Sequence, residues 1–139
     1  MRRLLVILLA GLMVLPLAAC GAAAPPPDGQ TIRDLSVAEA YSMIQDNQGQ
    51  DDFVILDVRT PAEFAEGHIE GAVLLDFNAG NFEVEVGKLD KDVRYLVYCR
   101  TSNRSGQAVN VMKNLGFQDV SDMDGGIVDW QAAGYPVVK

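Results

Sequence analysis

A chain of 139 residues has room for one hydrophobic core of ordinary size and excludes two. Its 19 acidic against 11 basic side chains, a formal net charge of -8, argue against a nucleic-acid partner, which calls for a basic surface. One histidine and two cysteines do not supply the usual four ligands of a zinc site, and no motif asks for a metal or an organic cofactor.

The first elements in chain order belong to export. Met1-Arg2-Arg3, an uncharged apolar run from Leu4 to Leu17, and then Ala18 and Ala19 have the three-part form of a secretory signal peptide over residues 1–19. The run is shorter than the roughly 20 residues of a spanning helix. It ends at Leu17-Ala18-Ala19-Cys20, which resembles the lipobox of bacterial lipoproteins. That resemblance implies acylation of Cys20 as the mature amino terminus, with several chains giving firm attachment where one gives marginal attachment. The alternative, an uncleaved anchor, also tethers the domain to a membrane from outside the cytoplasm. Residues 20–30, with three alanines and Pro25-Pro26-Pro27, read as a semi-rigid spacer. Without Arg2 and Arg3, nine basic side chains remain against 19 acidic ones, so attachment rests on lipid rather than on attraction to anionic headgroups. Gly21 is compatible with sorting to an outer membrane. With Cys20 acylated, Cys99 is the only free thiol, and no disulfide forms within the monomer.

The domain is expected over residues 31–139. Ile32 to Leu35 is a first strand; Ser36 and Glu39 form a capping box for a helix running to about Gln45, with Val37, Ala40, Tyr41 and Ile44 at helical spacing. Phe53 to Leu56 is a continuous apolar run suited to a strand buried on both faces, ending at Asp57. Thr60-Pro61-Ala62-Glu63 opens a short helix closed by Gly67. Ala72 to Leu75 is the next strand, and Phe82, Val86 and Leu89 share a helical face. Val93 to Tyr98 is a strand, followed by a polar loop and the longest helix, from near Arg104 to its cap at Gly116. Val120 to Met123, a Gly125-Gly126 turn and a helix from Ile127 to Ala133 complete the chain. Alternating strands and helices predict an α/β fold with a mainly parallel five-stranded sheet covered on both faces.

This pattern places Cys99 at the carboxyl end of a strand, the edge where open α/β sheets hold their ligands. Successive loop N–H groups and a helix start can converge there on an anion. With Arg100 and Arg104 close by, the expected consequence is a thiolate-favouring site, and the thiolate is the nucleophile. The bland alternative is an inert core cysteine, which the polar, cationic residues after it oppose.

Cys99-Arg100-Thr101-Ser102-Asn103-Arg104-Ser105 resembles the active-site loop of rhodanese-like sulfurtransferases. Leu56-Asp57-Val58-Arg59, Glu63-Phe64, Gly67-His68-Ile69-Glu70-Gly71-Ala72 and Asp124-Gly125-Gly126-Ile127-Val128-Asp129-Trp130 extend the resemblance over nearly all of the chain from Thr31. It implies a persulfide carried on Cys99, a small anionic donor such as thiosulfate, and an acceptor such as cyanide or a thiol. It further implies that Arg104 organises the loop and that Arg100 meets the substrate's charge. Ser102 stands where the family often has glycine, which matters if the backbone there needs positive φ. Asp57 is expected to pair with Arg104 or a loop N–H. Arg59, Glu63 and His68 are read as framework, an ion pair and a hydrogen-bonded histidine bracing the loop, and Trp130 as core.

Two other functions compete. Cysteine phosphatases also run from Cys to Arg, but with five intervening residues, whereas four lie between Cys99 and Arg104. A persulfide carrier or binding module serving a protein partner is the second, and retention of Cys99 and both arginines argues against a dead one.

Overall fold

The computed structural model describes residues 29–139. The signal peptide, Cys20 and the spacer up to Asp28 lie outside the described residues. Strands β1 (Thr31–Leu35), β2 (Phe53–Asp57), β3 (Val73–Leu74), β4 (Arg94–Tyr98) and β5 (Asp119–Met123) alternate with helices α1 (Val37–Asp46), α2 (Pro61–Glu66), α3 (Phe82–Val86), α4 (Asn103–Asn114) and α5 (Gly126–Ala132). The strands form one sheet in the order β1-β5-β4-β2-β3, and every pairing is parallel. β4 is therefore central, while β1 and the two-residue β3 are the rims.

Alternation along β4 divides the core. Tyr95, Val97 and Cys99 face one layer, packed with Phe82 and Val86 of α3 and Ala108, Val109 and Met112 of α4. Leu96 and Tyr98 face the other, with Ala40 of α1 and Ile127 and Trp130 of α5. The central strand is apolar on both sides because helices cover both sides.

Both expected capping boxes form: Ser36 with Glu39, and Thr60 with Glu63, each side chain satisfying a backbone N–H of the other's turn. Gly116, at φ 87°, follows the last turn of α4 as the spacing predicts. The expected strand from Ala72 to Leu75 shrinks to Val73–Leu74, because Ala72 N–H turns back to Ile69 and only Leu56 and Asp57 lie in register beside it. Trp130 is core: 1% exposed, it donates from Nε1 to the Pro136 carbonyl and packs against Tyr41 and Tyr135.

Candidate active site

Cys99 follows directly on β4 at the carboxyl edge of the sheet, as a free, buried thiol. The chain from Arg100 to Ser102 then arches over into α4. Among the described residues, none of the six backbone N–H groups from Arg100 to Ser105 donates to a protein acceptor; the first that does is Gly106, to the Ser102 carbonyl at 2.9 Å. Three of them are orphan donors of a helix start and the rest belong to the arch, so the loop presents a concentration of donors suited to an anion.

The arch is held from three sides. The first is the start of α5: Ile127 and Val128 donate their N–H groups to the carbonyls of Cys99 and Arg100, at 3.0 and 3.2 Å. Gly126 makes this approach possible, since a Cβ there would collide with both carbonyl groups and its φ of 61° is left-handed.

The second hold is Ser102, the sole non-glycine residue of positive φ among those described, at 72°. Its hydroxyl accepts the Gly125 N–H at 2.7 Å and lies 3.3 and 3.2 Å from the Met123 carbonyl and the Asp124 carboxylate. The side chain thus ties down a conformation that glycine would adopt more freely.

The third hold is Arg104. Its two terminal nitrogens donate to the two oxygens of Glu63, both at 2.7 Å, in a bidentate pair. Glu63 also caps α2 by accepting from the N–H and hydroxyl of Thr60. The Arg104 bonds, with Thr60 adding to them against partial burial, lower the Glu63 pKa to about 2. Arg104 is correspondingly raised, chiefly by Glu63, with the charges of Cys99 and Asp76 contributing.

Of the two partners expected for Asp57, a loop N–H is present, since its Oδ1 accepts the backbone N–H of Arg59 at 3.0 Å, but Arg104 is not. Fully buried, Asp57 pairs instead with the Arg59 guanidinium: Nε lies 2.9 and 3.0 Å from its two oxygens, and a terminal nitrogen 2.6 Å from Oδ2. Arg59 also donates to the Gly67 carbonyl at 2.8 Å and lies over the Tyr98 ring. The framework ion pair is therefore two pairs, Asp57–Arg59 and Glu63–Arg104. An arginine two residues from the aspartate reaches it through the turn after β2, leaving Arg104 to α2. His68 does brace the frame: Nδ1 lies 3.0 Å from the Phe64 carbonyl, and its backbone bridges to Val138.

Arg100, Thr101 and Asn103 are exposed around the mouth, and Asn103 is bonded by Gln107. Arg100 makes no ion pair among the described residues, so its charge is available to a ligand. Ser105 is buried beneath the loop, where its hydroxyl finds no partner. A cavity of about 400 Å³ lies elsewhere, on the α1 and α5 face between Tyr41, Phe53, Ile69 and Trp130, and includes no residue of the loop.

A doubly covered parallel sheet with a free cysteine at its carboxyl edge, followed by a loop whose N–H groups have no protein partner, defines a small cysteine-loop domain. The chain belongs to the rhodanese-like domain family, whose model matches residues 36–133. It is 32% identical over 100 residues to a sulfurtransferase of Allochromatium vinosum, covering 72% of this chain and 92% of that one. It is 39% identical over 84 residues to thiosulfate sulfurtransferase GlpE of Pseudomonas putida, covering 60% and 73%. An uncharacterised Synechocystis protein is 33% identical over 107 residues, 75% of this chain, which spans only 57% of that longer protein. Among solved structures, a rhodanese-related protein of Thermoplasma volcanium superposes with a TM-score of 0.66 at 32% identity, covering 76% of this chain and 97% of that one.

Proposed function

We propose that the protein is a rhodanese-type sulfurtransferase acting through a persulfide on Cys99. The observation that carries this reading is the run of unpaired N–H groups from Arg100 to Ser105 that directly follows Cys99, the one free thiol among the described residues. The thiolate attacks the outer sulfur of a thiosulfate-like donor, the S–S bond of the donor breaks, and sulfite leaves with the electron pair. The persulfide anion remains under the donors of the arch. A cyanide or thiolate acceptor then attacks the outer sulfur, and the Cys99 thiolate is the leaving group. Each species is anionic at sulfur, so one fixed set of donors serves both half-reactions. Arg100, exposed at the mouth, meets the donor's charge; Thr101, Ser102, Asn103, Arg104 and Ser105 shape the arch, with Asp57 and Arg59 beneath.

We further infer a lipid anchor on Cys20 and residence at the cell envelope outside the cytoplasm, supported by the signal-like residues 1–19 and the spacer before β1. The test of the chemistry is intact-mass spectrometry of the full chain after thiosulfate and then cyanide. A gain of one sulfur that maps to Cys99, is lost to cyanide and is absent in Cys99→Ser supports the mechanism. No gain from thiosulfate or from a persulfide donor, with the thiol still free, overturns it and leaves a binding module.

A further inference from the structure

Where α4 meets β5, beneath the cysteine loop, lie two buried polar atoms without a hydrogen-bond partner. Ser105, Ala108, Val109 and Met112 are the buried residues of α4, spaced at i, i+3, i+4 and i+7, so they form the stripe by which this helix packs on the sheet. Ser105 opens the stripe at its loop end, and its fully buried Oγ has no partner. Asp122 of β5 is 6% exposed, and its Oδ1 has none either. A Cβ on Gly106 would stand 3.4 Å from Asp122 Oδ2, so the first turn of α4 lies against this carboxyl.

The same layer carries the thiol. Parallel register sets Asp122 opposite Val97, and Cys99, two residues further along, faces the same way as Val97. A strand spacing of about 4.8 Å and a rise of about 3.3 Å per residue put the Cα atoms of Asp122 and Cys99 roughly 8 Å apart. Two groups that ionise to anions are thus diagonal neighbours under one helix start. Asp34 of β1 stands opposite Asp122, Asp124 follows it on the chain, β4 adds Val97 and Cys99, and α4 adds Ser105 with the uncharged Asn103, Gln107 and Asn110. The nearby arginines are engaged elsewhere, Arg33 with Asp119 and Ser121, and Arg104 with Glu63. Burial raises the Asp122 pKa to about 6; the Ser105 hydroxyl, as a donor to the carboxylate, works against the rise, and the charges of Asp34 and Asp124 add to it. The hydroxyl is close enough to act on the carboxylate yet is not locked onto it.

We propose that Asp122 is a positioning residue for the sulfur of Cys99, acting through the Ser105 hydroxyl. With Asp122 ionised, Ser105 donates to the carboxylate, and its proton is withheld from sulfur. When Asp122 takes up a proton from water, its O–H donates to Ser105 Oγ, and the Ser105 proton turns to a sulfur anion on Cys99. The neighbouring negative charge disappears in the same step, so both effects favour the thiolate as Asp122 is neutralised. Reciprocally, a sulfur anion holds the proton on Asp122, and the two groups titrate as a coupled pair. This inference rests on the reading of Cys99 as an anion-forming nucleophile, and not on the identity of its sulfur donor.

The thiolate is followed by its ultraviolet absorbance, as the difference between the full chain and Cys99→Ser across the pH range, which subtracts Cys20 and the tyrosines. Asp122→Asn, neutral and able to donate to Ser105, should move the Cys99 midpoint to lower pH, equivalent to a gain of about three- to tenfold in thiolate. Ser105→Ala in that background should take back part of the gain. In the native chain, which no substitution disturbs, the logarithm of the rate of iodoacetamide alkylation at Cys99 should bend to a shallower slope around pH 6, where Asp122 gains its proton. A midpoint that Asp122→Asn leaves unchanged or raises would overturn the proposal, as would a native profile without the bend. A gain that Ser105→Ala leaves whole would also overturn it, since the effect would then be one of charge alone. Both measurements use the free thiol, so a chain that fails to transfer sulfur can still show the coupling, and one that transfers sulfur can lack it.

Discussion

Glu63→Gln isolates the link between α2 and the cysteine loop. The carboxylate is displaced from its ordinary 4.5 to about 2, and at about 1.4 kcal/mol per unit this sets a ceiling near 3.5 kcal/mol for its charge-dependent stabilisation. Its side chain is 25% exposed, so water screens part of that interaction. Glutamine also keeps one carbonyl for Arg104 and for the Thr60 cap. The expected loss at pH 7 is therefore about 1–2 kcal/mol, a fall in Tm of about 4–8 °C for each kcal/mol. Because the folded carboxyl is depressed, its contribution is fully present above the unfolded value of 4.5 and fades as pH falls towards 2. Urea denaturation of both proteins at pH 7, 5, 4 and 3 should show a gap that is constant from 7 to 5 and then narrows. A gap independent of pH down to 3, or none at pH 7, would refute the assignment of the Glu63–Arg104 pair as a charged brace.

Other substitutions test the remaining holds. Asp122→Asn removes a buried charge whose unfavourable contribution begins above the ordinary 3.8 and is complete above about 6. It should raise stability at pH 7 by about 1–3 kcal/mol, less as pH falls from 6 to 4, and denaturation across that range will show the sign. Ser102→Ala keeps the left-handed backbone and loses the bond from Gly125, so it should cost about 1–2 kcal/mol, whereas Ser102→Gly should cost less; calorimetry of the two decides. Asp57→Ala strands the buried Arg59 guanidinium and should cost about 3–5 kcal/mol by urea unfolding. Arg100→Ala should leave stability within about 0.5 kcal/mol and raise the KM for thiosulfate several-fold in a steady-state assay.

How much was legible beforehand depended on the range of the signal. Capping boxes, the apolar run of β2 and the glycines that end α2 and α4 are written in neighbouring residues, and their elements formed at the expected places. The unpaired N–H groups after Cys99 were legible too, because a strand ending in cysteine and a helix starting a few residues later leave that stretch without secondary-structure partners. Pairing choices were not. Asp57 had two arginines within conceivable reach, and only the turn through Val58 brings Arg59 back onto it while α2 delivers Glu63 to Arg104. Asp122 escaped notice for a similar reason: an aspartate in a short strand reads as a solvated position until α4 is laid over it. Its one local sign was a carboxylate between Val120 and Met123, both fully buried.

The rims of the sheet bear on how such a domain behaves when many copies crowd together. A strand left open along one side is a template for pairing with a neighbour's backbone, and the hazard grows with its length and flatness. At one rim β3 offers only Val73–Leu74, too short a ledge to recruit another chain. At the other, β1 carries Arg33 and Asp34 in its middle, and its arginine is tied back across the sheet to Asp119. Neighbours packed side by side on a surface would meet stubs and charges instead of a zipper, so local concentration can rise without the sheets annealing.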